Sequence, residues 1–547
     1  MSVEIEASAD PVRTPMRRRG RWWKWGGLVV LLLGFGLFGT FLAWRGGAAR
    51  GFDREFAAAR AAGEPVTAQE LSDWPFLRAE GENAVPALRA AADLIKGDSE
   101  AWQKAYSPDA QEYAPPLREE EVAALEALVR ECEPSLRALD EAVKKSGVNW
   151  DLRLTSPMIN NLYPDLNKQR TIANLLRAAV LLEHHRGNDA EAVRRIEQTL
   201  FVARAVDHQP TLVSHLVAIG VYAMAGNEAA LVAPELRVDA AGAGDGQGQP
   251  GAYRPATPQA VRSLITQFLD EQPLKDGQRR AWVAERVQQI DSINALADGS
   301  LSGGPVSPSL RFKLFFMRPV FHDNGTVIVS HTTKVMHASA GSADLPAYRQ
   351  KVPAKLPAYL DSRRYFLANI LLPGIDRATD QQFRILADRR LAAVALACRL
   401  YAVEHDGRLP RKLQDLVPDY LPAVPLDPLA AGGRPLGYVG PDEDPEKPRV
   451  YSVGPNGIDQ RGADPDRRRT RHRDYEAQRD EVRYLKRQPR PEPEPEGEGM
   501  PFGYPGMYPG LPGMQEPDAP PDPEEAEPEA AKKTQPANAP VTDSPPK

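Results

Sequence analysis

The chain has 547 residues, among them 52 prolines, 42 glycines and two cysteines, and a formal net charge of −6. Two cysteines exclude a disulfide scaffold and every four-cysteine zinc site, and a balance this close to neutral argues against a dedicated nucleic-acid binder. With 42% apolar and 26% charged residues, most of the chain can bury a core, and the length predicts several structural units.

Residues 26–44 read GGLVVLLLGFGLFGTFLAW, nineteen positions without a charge. As a helix rising ~1.5 Å per residue, this stretch is ~28 Å long and matches a hydrocarbon core. Trp22, Trp23, Trp25 and Trp44 stand at its ends, where an aromatic belt forms. Arg13, Arg17, Arg18, Arg19, Arg21 and Lys24 precede it, while Arg45, Arg50 and Arg54 are sparser beyond it. The positive-inside rule therefore predicts a cytoplasmic N-terminus (1–25), a transmembrane anchor at 26–44 in the inner (cytoplasmic) membrane, and a periplasmic or otherwise extracytoplasmic bulk. Thr40-Phe41-Leu42-Ala43-Trp44 is a poor cleavage site for a signal peptide. A pilin-type leader needs an acidic residue early in the helix, and none occurs between Trp22 and Arg50.

A helical body is expected over 51–238. Residues 52–62 are alanine-rich and continue the helix out of the membrane, and Asn83 is placed to cap a helix ending near residue 95. Between 119 and 145, apolar residues recur mostly three or four apart at Val122, Leu125, Leu128, Val129, Cys132, Leu136 and Leu139, with Pro134 expected to kink or split the helix. Helices over 172–185, 191–206, 212–225 and 228–236 follow. Gly187-Asn188-Asp189 recurs 39 residues later as Gly226-Asn227-Glu228, and both sites read as a helix end followed by an acidic helix start. The layout is that of helical hairpins of tetratricopeptide type, but the Trp, Tyr and Pro positions of that repeat are not met and two occurrences do not make a solenoid. An ordinary helical core is the simpler expectation.

Residues 239–257 form a Gly/Ala/Gln linker. Its Gly246-x-Gly248-x-x-Gly251 matches a dinucleotide fingerprint in letters only, because no strand precedes it and Pro250 stands inside it. A second helical region spans 258–375, with helices at 258–268 and 278–295. The short apolar run at 326–330 suits a strand or a buried helix, and its helical surroundings favour the helix.

The chain carries no Gly-x-Ser-x-Gly elbow and no phosphate-binding Gly-x-x-x-x-Gly-Lys loop. Its residues therefore assign no catalytic or cofactor-binding group. Neighbouring helices could gather Glu183, His184 and His215 into a zinc or iron site. Without His-Glu-x-x-His, and with vicinal histidines on different helix faces, surface or capping roles fit them better. His208, His322, His331 and His337 are scattered. Cys132 and Cys398 read as small buried hydrophobes rather than a pair. The run Arg467 to Arg473 lacks interleaved aromatics and lies on the wrong side of the membrane for nucleic acid, so 467–487 reads as a charged linker. From residue 488 to the end there are seventeen prolines, twelve acidic and four basic residues, a net of −8 that leaves +2 for the rest. Such a tail, 488–547, is expected to be disordered with local polyproline II.

The most specific segment is a small α+β module over 376–466. A helix at 384–403 ends at Asp406-Gly407-Arg408-Leu409-Pro410, and a short helix covers 411–417. Asp427-Pro428 precedes strands at 435–439 and 449–453, closed by Gly454-Pro455-Asn456-Gly457. This order resembles the periplasmic part of the major pseudopilin of type II secretion systems. The shared features are a long helix with tyrosine near its end, Asp-Gly-Arg-x-Pro, Leu413 to Pro418, Asp427-Pro428, the Gly433 to Tyr438 strand and Tyr451-Ser452-Val453-Gly454-x-Asn456-Gly457. The resemblance covers about 90 residues. Anchor, helical body and this ending together resemble single-pass membrane proteins of planctomycete-type bacteria. In pseudopilins the last loop binds calcium, and the resemblance carries that role to Asp459, Asp464 and Asp466, hard oxygen donors suited to the ion. Arg461 and the arginines that follow oppose a cation there, so a structural turn is the competing reading. The absent leader and helix acid imply that the chain does not polymerise as a pseudopilin. The expectation is a mainly α, non-catalytic membrane-anchored envelope protein with envelope proteins as partners, linked to a secretion or pilus-like assembly, and with no small-molecule substrate. The alternative is a membrane-anchored extracytoplasmic hydrolase or metalloenzyme with a dispersed site.

Overall fold

The computed structural model describes residues 20–106, 113–239, 253–302, 306–353, 357, 360, 362–463 and 479–489. The Gly246–Gly251 motif, Asp464, Asp466, the Arg467–Arg473 run and the tail from residue 490 lie outside them.

Helices dominate. In the first third they are α1 (Gly20–Ala61), α2 (Ala68–Ser72), α3 (Val85–Asp93), α4 (Glu100–Ala105), α5 (Glu119–Glu131) and α6 (Glu133–Ala142). The middle holds α7 (Asp165–His185), α8 (Asp189–Val206), α9 (Leu212–Val232), α10 (Pro258–Leu269) and α11 (Gln272–Asp298). Then come α12 (Pro308–Ala340), α13 (Leu345–Lys351) and α14 (Phe366–Glu404), followed by β1 (Gly437–Val439), β2 (Arg449–Ser452) and β3 (Glu481–Tyr484).

The helix starts follow from capping chemistry. Hydroxyls of Thr67, Ser99, Thr211, Thr257 and Ser307 accept the amide three residues on, and the Asp344 carboxylate does the same for α13. Asn83 accepts the Val85 amide at 3.1 Å, so it caps α3 from one position outside. Pro134 splits its helical stretch as expected: α5 ends at Glu131 and α6 restarts at Glu133. The run at 326–330 is helical, inside α12.

Two expected features fail. The Gly226-Asn227 site is no break, because α9 runs through it unbroken. There the helix passes α14 with room for a side chain: a Cβ at 226 would stand 3.7 Å from the Asp388 carbonyl, ordinary contact distance. Gly187, by contrast, is a true helix end at φ +77°. The second failure concerns borders. α14 runs straight through residue 376, where a separate module was expected to begin, and β3 lies within the expected charged linker.

β1, β2 and β3 form one antiparallel sheet in that order. Gly437 pairs with Tyr451, whose ring fills the space a Cβ at 437 would need (2.2 Å), and Tyr451 pairs with Val482 on its other side. The sheet packs on α14, which also lies against α9, α10 and α12.

At the other end, α1, α12 and α14 run parallel. Phe41 meets Phe315 and Phe316 at ring separations of 5.6 and 5.2 Å, and further along Phe52 stacks on His322 at 5.4 Å. Asn324 donates to the Arg364 carbonyl at 2.6 Å and accepts the Ala368 amide, which ties the start of α14 to α12. α11 runs the opposite way, with Ile290 and Ile293 against Phe52 and Arg286 against Glu64.

α1 is the near-N-terminal candidate membrane span. Both α1 and α9 are long and apolar enough to cross a bilayer, but the most apolar window of α9 is 67% buried in the fold and that of α1 is 0% buried. Residues Ala48, Phe52 and Ala59 of the same α1 are buried in the body. One helix therefore joins an uncovered apolar segment to the folded part without a hinge.

Candidate functional site

The three residues considered for a zinc or iron site do not meet. Glu183 accepts from the Asn188 side chain at 2.6 Å and from Arg186 at 3.4 Å, beside the turn that follows α7. His184 Nδ1 lies 2.5 Å from Asp189 Oδ1, and the other carboxylate oxygen accepts the Arg237 amide. These residues brace the Gly187 turn. His215 sits elsewhere, with Nδ1 2.6 Å from Asp207 Oδ1 and Nε2 2.9 Å from Gln382 Oε1. The pair is buried, and Gly277 of α11 makes room for it: a Cβ there would fall 1.9 Å from Asp207 Oδ2. Arg280 donates to the Asp207 carbonyl from the same helix. This network bolts α8, α9, α11 and α14 together. His208 stays neutral, driven to about 4 first by burial and then by Arg280. Cys132 and Cys398 are both free and buried.

Of the three residues the resemblance assigns to calcium, Asp459 alone lies among the described residues. Asp459 is already paired with Arg434, and its Oδ1 accepts the Arg461 amide at 2.8 Å. Partial burial pushes this carboxyl up, but the Arg434 bond and the Arg461 amide outweigh it and leave it below the usual range. The loop amides of Gln460 and Gly462 go to Asp480 at 3.1 and 2.7 Å. The Asp480 carboxylate thus organises the loop through its amides. Asp464 and Asp466 lie outside the described residues. Among the described residues, no three His, Cys, Asp or Glu side chains gather as a metal-binding group. Sequence reading missed Asp480, which sits just before the short β3. It named Asp427 only as part of a motif; its carboxylate accepts from Leu429, Ser452 and Val453 and so ties the preceding loop to β2.

The most distinctive opening lies where α1 enters the body. A cavity of about 420 Å³ between α1, α11 and α12 is lined by Arg45, Phe52, Asp53, Asn294, Arg318 and His322, with Leu42 at its apolar rim. The Arg45 guanidinium lies 4.2 Å above the Phe315 ring, a cation–π contact. Its Nη1 is buried without a hydrogen-bond partner, as is Nδ1 of His322, a residue only 7% exposed. Burial first, and Arg318 next, push the His322 imidazole below its ordinary range, so the ring is neutral near pH 7. Beside the cavity, Trp44 donates to Asp323 at 2.8 Å, and Arg364 both pairs with Asp323 and lies 5.0 Å over the Trp44 ring. Arg45 and Arg318 are far apart in sequence, and only the parallel packing of α1 and α12 joins them. No family model matches the chain, and no curated protein and no solved structure matches it either.

Proposed function

We propose that this is a single-pass protein of the inner membrane of a bacterial envelope, with its body outside the cytoplasm, acting without catalysis through contacts with other envelope proteins. The observation that carries the reading is α1. Its uncovered apolar segment and its buried outer segment are one helix, so the body is fixed to the bilayer as a rigid unit. The histidines and carboxylates that looked most like chemistry are committed to turns and helix junctions, which supports the non-catalytic reading. The long helix, extended loop and three-stranded sheet of the C-terminal part support a pseudopilin-like contact module and a place near a secretion or pilus-like assembly.

The topology is tested by single cysteines in the full chain at Met16 and Glu446, probed with a membrane-impermeant maleimide on spheroplasts. The native thiols are buried and give the blank. Glu446→Cys is expected to react from outside and Met16→Cys only after lysis; the reverse pattern, or release of the protein by alkaline carbonate, overturns the anchor. Metal analysis addresses catalysis: stoichiometric zinc or iron that disappears in His215→Ala would overturn the non-catalytic reading.

A further inference from the structure

The cavity at the root of α1 has the composition of an anion site placed at membrane level. Arg45 follows the apolar segment directly, and Arg318 lies two residues beyond the Phe316 that touches Phe41. Because α1 and α12 run parallel, both guanidinium groups sit at the outer edge of the candidate span. Among the described residues neither makes an ion pair, and one nitrogen of Arg45 and one of His322 are buried with nothing to bond. Burying such groups unpartnered is unfavourable, more so for a charged group, so a ligand that bonds them is favoured. Asp53 is the single carboxylate on the wall, against two arginines.

The surface below the cavity is apolar. α12 begins on the membrane side of the Phe41 contact, and its first turns expose Leu310, Phe312, Phe316 and Met317, with Phe312 at 68%. On α1 the neighbouring Phe38 and Leu42 are uncovered as well. Arg311 and Lys313 flank the aromatic residues on α12 and can extend toward headgroups while their stems stay on apolar surface. Exposed aromatics and aliphatics beneath a cationic cavity match the two halves of a phospholipid, and continuity with the uncovered face of α1 argues for lipid as occupant.

We propose that the cavity holds the phosphate of an anionic phospholipid from the leaflet at which α1 emerges, between Arg45 and Arg318, with its acyl chains along Phe38, Leu42, Phe312 and Phe316. This rests on the membrane reading of α1. The bound lipid would fix the rotation and height of the body over the bilayer, as an anchor alone does not.

The test uses the full chain in phosphatidylcholine nanodiscs carrying spin-labelled phosphatidylglycerol or spin-labelled phosphatidylcholine, read as the motionally restricted fraction. A preference for phosphatidylglycerol is expected. Arg45→Gln and Arg318→Gln should each weaken its association about fivefold, and Asp53→Asn should strengthen it. Arg54→Gln, on an exposed turn about 13 Å further along α1, should change nothing. Arg318 is exposed, so its variant reads the site even if Arg45→Gln folds poorly. Equal restriction of both lipids overturns the site and leaves the anchor standing, whereas no restricted lipid at all overturns the anchor too. Displacement of the labelled lipid by excess glycerol 3-phosphate would show that a soluble phosphate ester, not a lipid, is the ligand, and would overturn the proposal.

Discussion

Glu228 places a carboxyl inside the packing of α9, at 1% exposure. Burial pushes it up to about 8, against the opposing pull of Arg177 and the Thr199 hydroxyl. The folded state therefore keeps a proton that the unfolded chain releases near its ordinary value of 4.5. Stability from this group is fully present below pH 4.5 and is lost as the pH rises toward 8. Glu228→Gln keeps the shape and removes the titration, so it should match the native protein near pH 4.5 and melt higher at pH 8.5, by on the order of a few kcal/mol. Thermal unfolding of the full chain in detergent at the two pH values reads this directly. An equal difference at both would show that the carboxyl is not held protonated. The Asp207–His215–Gln382 chain contrasts with it at the same scale: it is also buried, but both ring nitrogens of His215 are bonded, to Asp207 and to Gln382, and the chain holds four helices even with Asp207 Oδ2 and Gln382 Nε2 left without partners.

The two Gly-Asn sites show what an element adds to its residues. By letters they are the same signal, yet Gly187 ends α7 and Gly226 lies within α9. The difference is tertiary. At Gly187 the chain takes φ +77°, and the Tyr253 ring and the Arg237 side chain occupy the space where a Cβ would point, at 2.2 and 2.7 Å. At Gly226 the backbone is helical and the nearest atoms of α14 stand at ordinary contact distance. Gly187→Ala should therefore cost stability on the order of 1–3 kcal/mol. Gly226→Ala should be neutral or stabilising by up to ~1 kcal/mol, since alanine is the better helix former. Chemical denaturation of the two variants tests the contrast, and equal losses would mean that α9 does break at residue 226. The helices with strong periodicity, such as the stretch split by Pro134, were legible because burial of one face repeats every three or four residues. The start of α14 was not: residues 366–383 carry Pro373 and Gly374, local signals against a helix that packing on α12 overrides. The cavity residues were illegible for a related reason. Arg45, Arg318 and His322 each look like ordinary surface or scattered positions until two distant helices lie side by side.

At the scale of the molecule, the C-terminal part closes on the helical body through a segment that composition alone assigns to a linker. Residues 479–489 look charged and Pro-flanked, yet Glu481–Tyr484 completes the sheet as β3. Asp480 gathers the Gln460 and Gly462 amides, and Arg483 reaches both Asp388 of α14 at 3.0 Å and Asn227 of α9 at 2.9 Å. Alternation over four residues is too short a signal to outweigh the arginines around it, and the partners of Arg483 are far away in sequence. Asp388 is largely covered, with 14% of its side chain exposed, and this burial pushes its carboxyl up to about 6 even with Arg483 opposing. Removing the arginine leaves a largely covered acid without its main cation, a loss on the order of 3 kcal/mol. The loss should shrink as the pH falls below 6, because a protonated Asp388 no longer needs the partner. A chain ending at residue 489 is thus expected to melt with the full protein. One ending at residue 463 should melt lower, and Arg483→Gln in the full chain should reproduce part of that drop at pH 7.5 and less of it at pH 4.5. If the chain ending at 463 melts with the full protein, β3 does not hold the sheet to the helices. If Arg483→Gln is equally costly at both pH values, its partner is not a titrating carboxylate and the junction rests on the Asn227 bond instead.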